Sequence, residues 1–171
     1  MFEVGEYVVY GSTGICRVEE ITRPDIPGCD PGRLYYVLSP INKNSTGRSF
    51  IPVDNVKVVL RKVIEKKDAL KLIDNIPEVE EIWINNDKLR EKQYKDMSKL
   101  CDCRQWISII KTIYIRKQER SAAGKKLTAT DEKYLRLAED NLYGELGFAL
   151  NKDKDEMEAY ITERINSRKD I

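Results

Sequence analysis

The sequence predicts an α+β protein: a small antiparallel β-barrel over residues 1–63, then an all-α bundle of about five helices over residues 64–171. Three observations carry that expectation. The early apolar runs are short, rich in β-branched and aromatic residues, and separated by clusters of Gly, Pro, Asn and Asp. Near Ile64 the apolar period changes from two to about 3.6, and strand formers give way to Lys, Glu, Leu and Ala. Strands this short also need closure or a partner to protect their edges, which favours a barrel of the SH3 or Tudor type.

The opening stretch Val4 to Ile21, VGEYVVYGSTGICRVEEI, organises the rest. Val4, Tyr7, Val8, Val9 and Tyr10 suit a pleated, half-buried surface. Gly11, Ser12, Thr13 and Gly14 interrupt them with turn chemistry, and Ile15, Arg17, Glu19 and Ile21 then alternate with Cys16, Val18 and Glu20. A hairpin follows. Thr22 to Arg33 contains Pro24, Pro27, Gly28, Pro31 and Gly32 and is a loop that helix cannot cross. Leu34 to Leu38 is the next strand, Pro40 to Gly47 a second loop, and Ser49–Val53 and Val56–Val63 complete the set.

In the second half, Ala69, Leu70, Leu72 and Ile73 form a short helix that stops near Ile76, because Pro77 disfavours a helical residue before it. Val79 to Lys99 reads as a second helical stretch, with Asn85-Asn86 as a break. Asp102 caps a third helix whose Trp106, Ile109, Ile110, Ile113 and Tyr114 recur at helical spacing. Gly124 and Lys125-Lys126 connect it to a fourth helix, capped by Thr128 or Thr130 and buried through Tyr134, Leu135, Leu137, Ala138, Leu142, Leu146 and Leu150. Met157, Tyr160, Ile161 and Ile165 give a fifth, beginning after Lys154, and short connections make the set a bundle.

With 171 residues, 41% hydrophobic and 35% charged, the chain has room for two small cores, no membrane-spanning run and no signal-like start, so a cytoplasmic protein is expected. Net charge is only +1, so any contact with nucleic acid must be local. Such a region exists: Lys111, Arg116, Lys117, Arg120, Lys125, Lys126, Lys133 and Arg136 outnumber Glu119, Asp131 and Glu132. Histidine is absent, which removes the usual neutral-pH base and the partner a nucleophile would need. Gly11-Ser12-Thr13-Gly14 lacks the lysine and helix of a phosphate loop. The pairs Glu19-Glu20 and Glu80-Glu81 sit side by side on elements whose neighbours diverge. Cys16 and Cys29 stand apart, and Cys101-Asp102-Cys103 lacks the two-residue spacer of a zinc or redox motif. The expectation is a protein that is not an enzyme and takes no metal or cofactor.

Of the two tryptophans, Trp106 lies within an apolar stripe and reads as core. Trp83 has polar surroundings from Glu80 to Lys88, with Ile82 and Ile84 beside it. It either closes the bundle or serves as an exposed wedge against DNA bases.

Over nearly its whole length the chain resembles the bacterial CarD/CdnL family of RNA polymerase-binding transcription regulators. The likeness is carried by VGEYVVYGSTGICRVEEI, by FIPVDN at Phe50–Asn55, by RKQER at Arg116–Arg120 and by LTATDEKYLRLAEDNLYGEL from Leu127 to Leu146. The opening barrel is also similar to the polymerase-binding domain of transcription-repair coupling factors, whose helicase motors this chain has no room for. The resemblance implies a Tudor-like domain that grips the RNA polymerase β subunit at its β1 lobe. Behind it, a helical domain would meet promoter DNA at the upstream edge of the bubble, without reading sequence, and stabilise the open complex; the protein would be a monomer when bound. It also implies polymerase contacts from Arg23 and Arg48, with Phe50 and Pro52 of the Pro-containing motif. Arg23 is shifted by one residue from the family position, and Arg48 lies two residues before the aligned Phe50, on the same strand face. The family's minor-groove tryptophan makes Trp83 the candidate, although counting back from Asp102 places that position about one turn later, near Asp87. Lys88, Arg90, Lys111, Arg116, Lys117, Arg120, Lys125, Lys126 and Lys133 would supply phosphate contacts. A reading of another class also fits the residues: a two-domain adaptor whose barrel binds another protein or RNA and whose bundle dimerises.

Overall fold

The first apolar runs fold as the hairpin β1 (Tyr7–Tyr10) and β2 (Gly14–Thr22), joined by a single tight turn at Gly11–Thr13. A computed structural model describes residues 1–42 and 45–169. The turn needs Gly11: its φ is 49°, its N–H donates to the Val59 carbonyl at 2.8 Å, and a methyl there would lie 3.1 Å from Val58. β3 (Tyr35–Pro40), β4 (Ser49–Pro52) and β5 (Leu60–Lys62) complete a curled antiparallel sheet in the order β4-β3-β2-β1-β5. β2 slips register between Val18 and Glu20, an irregularity of the kind that bends a strand and helps a short sheet curl. Inside the curl Val8, Cys16, Val18, Tyr36, Leu38 and Ile51 form the core, with Phe2 set edge-on against Tyr36 at 5.8 Å. Burial pushes the Cys16 thiol up to about 11, so this cysteine is packing and not a nucleophile.

The strand expected over Val56–Val63 is shorter than its composition suggests. Asn55 turns the chain first: its side chain accepts from the Lys57 and Val58 N–H groups and donates to the Val58 carbonyl at 2.8 Å. This Asx-type turn leaves only Leu60–Lys62 in the ladder, paired with β1. Of the loop expected over Pro40–Gly47, residues 43 and 44 lie outside the described residues.

By internal contacts the chain divides into two units, Met1–Val63 and Ile64–Ile171. The second holds α1 (Lys66–Asp74), α2 (Asp87–Leu100), α3 (Cys103–Ala122), α4 (Ala129–Leu150) and α5 (Met157–Lys169). Asp102 caps α3 by accepting from the Arg104 and Gln105 N–H groups, and Thr128, not Thr130, caps α4. α3 and α4 are the long central pair, and Trp106, Ile109 and Ile113 of one are buried with Tyr134, Ala138, Leu142 and Leu146 of the other. Asp74 of α1 accepts twice from Arg164 of α5, at 2.7 and 2.9 Å, and also pairs with Arg168. The Arg164 guanidinium holds that carboxyl below the usual carboxylate range. At the end of α4 the backbone approach is so close that a methyl on Gly147 would meet the Lys152 carbonyl at 2.8 Å. Among the described residues no helix is long and apolar enough to cross a membrane.

One expected helix is corrected. Residues 79–85 form neither helix nor strand, and α2 begins only at Asp87, where the Asn86 side chain accepts the Leu89 N–H at 3.1 Å. Asn at the N-cap favours starting a helix over continuing one. Trp83 therefore lies in the irregular segment before α2.

Candidate polymerase and nucleic-acid interfaces

In the first unit, the four residues assigned to polymerase contact gather on the β2-β3-β4 half of the sheet. β4 pairs with β3 in the register Leu38↔Ser49, Val37↔Phe50, Tyr36↔Ile51 and Tyr35↔Pro52, and among the described residues its outer edge has no partner strand. Ile51 faces the core, and Phe50 and Pro52, half-buried, alternate to the other face. Arg48 is exposed just before the strand and shares their parity. Arg23 is exposed just after Thr22, which pairs with Tyr35 and through it with Pro52. Arg23 therefore lies two strands in from the β4 edge, and it is displaced from Arg48 along the strand direction by roughly 16 Å at the usual strand rise. Pro24, buried next to Arg23, fixes the exit of the chain there.

In the second unit, Trp83 is 75% exposed and does not close the bundle. Its segment is nevertheless held closely. Ser108 Oγ donates to the Glu80 carbonyl at 2.7 Å, and the Ile82 N–H donates to Thr112 Oγ1 at 2.8 Å. Lys111 Nζ donates to the carbonyls of Val79 at 2.5 Å and of Ile76 and Pro77 at 3.2 Å, and lies 3.5 Å from the Glu81 carboxylate. From α2, Arg90 Nη1 donates to the Ile84 carbonyl at 3.2 Å. Ile82 and Ile84 are half-buried on either side of the exposed indole.

The basic residues divide into two groups by burial and pairing. Arg90 is 3% exposed and paired with Asp87 at 2.6 Å and with Asp131, itself 0% exposed, at 3.6 Å. Arg116 donates to the other oxygen of Asp131 at 3.1 Å, and the Tyr94 hydroxyl donates to the first at 3.4 Å. Burial, with the Asp131 charge second, pushes that tyrosine up to about 12. These are structural ions joining α2, α3 and α4, since a buried charge is tolerated only when paired and hydrogen-bonded. Lys111 is spent on the carbonyls below Trp83, and Arg120 donates through Nε to the Lys126 carbonyl at 2.6 Å, closing the α3–α4 turn. Lys88, Lys117, Lys125, Lys126 and Lys133 remain exposed.

Lys117, Lys125 and Lys126 meet Arg136, Leu127 and Leu135 around a cleft of about 520 Å³ between α3 and α4. Trp83 instead borders a groove of about 90 Å³ with Thr112, Ile115, Arg116 and Glu119. At 3.6 residues per turn, Lys117 lies nearly half a turn around α3 from that set, so the indole and the lysine cleft occupy different sides of the helix. Among the described residues no group of three His, Cys, Asp or Glu side chains is placed to hold a metal ion. Cys103 Sγ lies 3.3 Å from the buried Glu145 carboxylate, which also accepts the Ile64 N–H at 3.0 Å.

Sequence reading missed Asp131, Ser108 and Thr112. The two hydroxyls stand at i and i+4 within the Ile-rich stripe of α3, a polar pair where a core needs none, and that was the available signal.

The first unit is a curled five-stranded sheet whose edge strands are β4 and β5, and a helical unit follows it in the chain. Residues 2–64 match the family model of the CarD-like/TRCF RID domain, so the chain carries as its first unit the RNA polymerase-interacting domain found in CarD/CdnL family proteins. That domain is non-catalytic, and in its family the partner is the polymerase β subunit; the chain is an RNA polymerase-interacting, transcription-associated protein. Among curated proteins none matches the chain.

Proposed function

We propose that the first unit docks on the β1 lobe of the polymerase β subunit. The second then contacts promoter DNA at the upstream edge of the bubble and stabilises the open complex. The observation that carries the DNA half of this reading is the exposed Trp83 on a segment pinned at the backbone groups on both sides of it. An exposed indole is suited to stack at a base step that is already distorted. Lys88, Lys117, Lys125, Lys126 and Lys133 supply sequence-independent phosphate attraction from more than one side of the unit. No chemistry is required: a protein that binds open promoter more tightly than closed shifts the equilibrium by its differential affinity.

For the polymerase half, the open edge of β4 invites strand addition, with Arg48 beside that edge and Arg23 two strands behind it as charge anchors. Replacing Arg23 and Arg48 together by alanine is expected to weaken retention on immobilised polymerase at least tenfold, with circular dichroism unchanged, because both side chains are exposed. Retention equal to wild type removes this edge from the interface.

A second reading is favoured by one feature. Glu80, Asp87 and Glu119 are exposed around Trp83, and Glu81 is half-exposed, a ring that suits a basic protein surface better than a phosphate backbone. In that case the helical unit is the second arm of an adaptor. Crosslinking through a photoreactive group at position 83 separates the two, giving promoter DNA for the first and a protein adduct for the second.

A further inference from the structure

We infer that Thr112 is a positioning residue for Trp83, its hydroxyl fixing in advance the irregular segment from which the indole projects. This rests on reading Trp83 as the DNA-contacting residue, and extends that reading to side chains that touch no DNA. Residues 79–85 belong to neither helix nor strand, so their order must come from elsewhere. It comes from one face of α3. Ser108, Lys111 and Thr112 stand at i, i+3 and i+4 and take the carbonyls of Glu80 and Val79 and the N–H of Ile82 in turn.

Thr112 is the critical one of the three. It is 3% exposed, accepts the N–H of the residue next to Trp83, and donates its own proton to the Ser108 carbonyl at 2.7 Å. Valine in its place keeps the shape and leaves the Ile82 N–H without its acceptor. A segment so released must be ordered again each time the indole engages, and that cost of immobilisation is subtracted from affinity. Lys111 and Ser108 hold the segment further back, and Arg90 holds Ile84 beyond the indole, so neither substitutes for the bond at Ile82.

The test compares the full-length chain with Thr112→Val, Thr112→Ser, Trp83→Ala and the Thr112→Val/Trp83→Ala double variant. Two quantities are read: the amide exchange rate of Ile82 by NMR, and the lifetime of an open promoter complex with purified RNA polymerase. Thr112→Val is expected to speed Ile82 exchange and shorten the lifetime about 3- to 10-fold, a loss of preorganisation. Thr112→Ser restores both, and the double variant matches Trp83→Ala alone, since an unanchored indole and a missing one fail at the same step. A wild-type lifetime for Thr112→Val, beside a shortened one for Trp83→Ala, overturns the positioning role and leaves the reading of Trp83 intact. Multiplying losses in the double variant also overturn it, because they mark Thr112 as acting through stability. A wild-type lifetime for Trp83→Ala overturns the underlying reading and this inference with it.

Discussion

Trp83→Ala is expected to shorten the lifetime of the open promoter complex by roughly 5- to 150-fold. The range follows from base–aromatic stacking worth about 1–3 kcal/mol, with about 1.4 kcal/mol per factor of ten. The same substitution is expected to leave thermal stability within about 0.5 kcal/mol, as for other surface positions, because the side chain is 75% exposed and its segment is held through backbone groups. The two measurements pull apart the two roles available to a tryptophan here. An unchanged lifetime beside a large fall in melting temperature would return Trp83 to the core.

Asp131→Ala carries the largest expected effect on the fold. Asp131 is fully buried at the start of α4, where its carboxylate accepts from Arg116 and Tyr94 and neutralises Arg90, which is itself buried. Removing the carboxylate leaves Arg90 with only the exposed Asp87 as counter-ion, and breaking such a buried pair typically costs about 3–5 kcal/mol. Denaturant unfolding followed by far-ultraviolet circular dichroism reads the helical unit, and its unfolding free energy is expected to fall by that amount, with a correspondingly lower midpoint. A loss below about 1 kcal/mol would mean that the network is a surface arrangement after all. Because Arg90 also holds the Ile84 carbonyl, this network supports the mount of Trp83 from the α2 side.

Much of the architecture was legible in the residues. The change of period near Ile64, the turn at Gly11–Gly14, the caps at Asp102 and Thr128 and the burial of Trp106 are local signals, and each acts within a few residues of where it is written. What was not legible depends on partners distant in sequence. Val79, Ile82 and Ile84 suit a helix or an extended chain equally, and the choice was made by hydroxyls and a lysine on α3. Arg90 and Arg116 count as positive charge in any sequence window, yet both are paired with the buried Asp131. Charge counts locate a basic region. They do not say which cations face water. Likewise the exposure of Trp83 follows from the pinning of its neighbours, which no pattern of apolar residues encodes.

The central claim is that the chain prefers melted promoter to duplex while bound to polymerase, and one equilibrium measurement addresses it directly. The affinity of the full-length chain is compared for polymerase on a promoter carrying a preformed bubble and on the same promoter fully paired. Tighter binding to the bubble, by a factor that Trp83→Ala largely abolishes, is the expected result. Equal affinity for the two would contradict the claim, because a ligand that binds both states equally shifts neither.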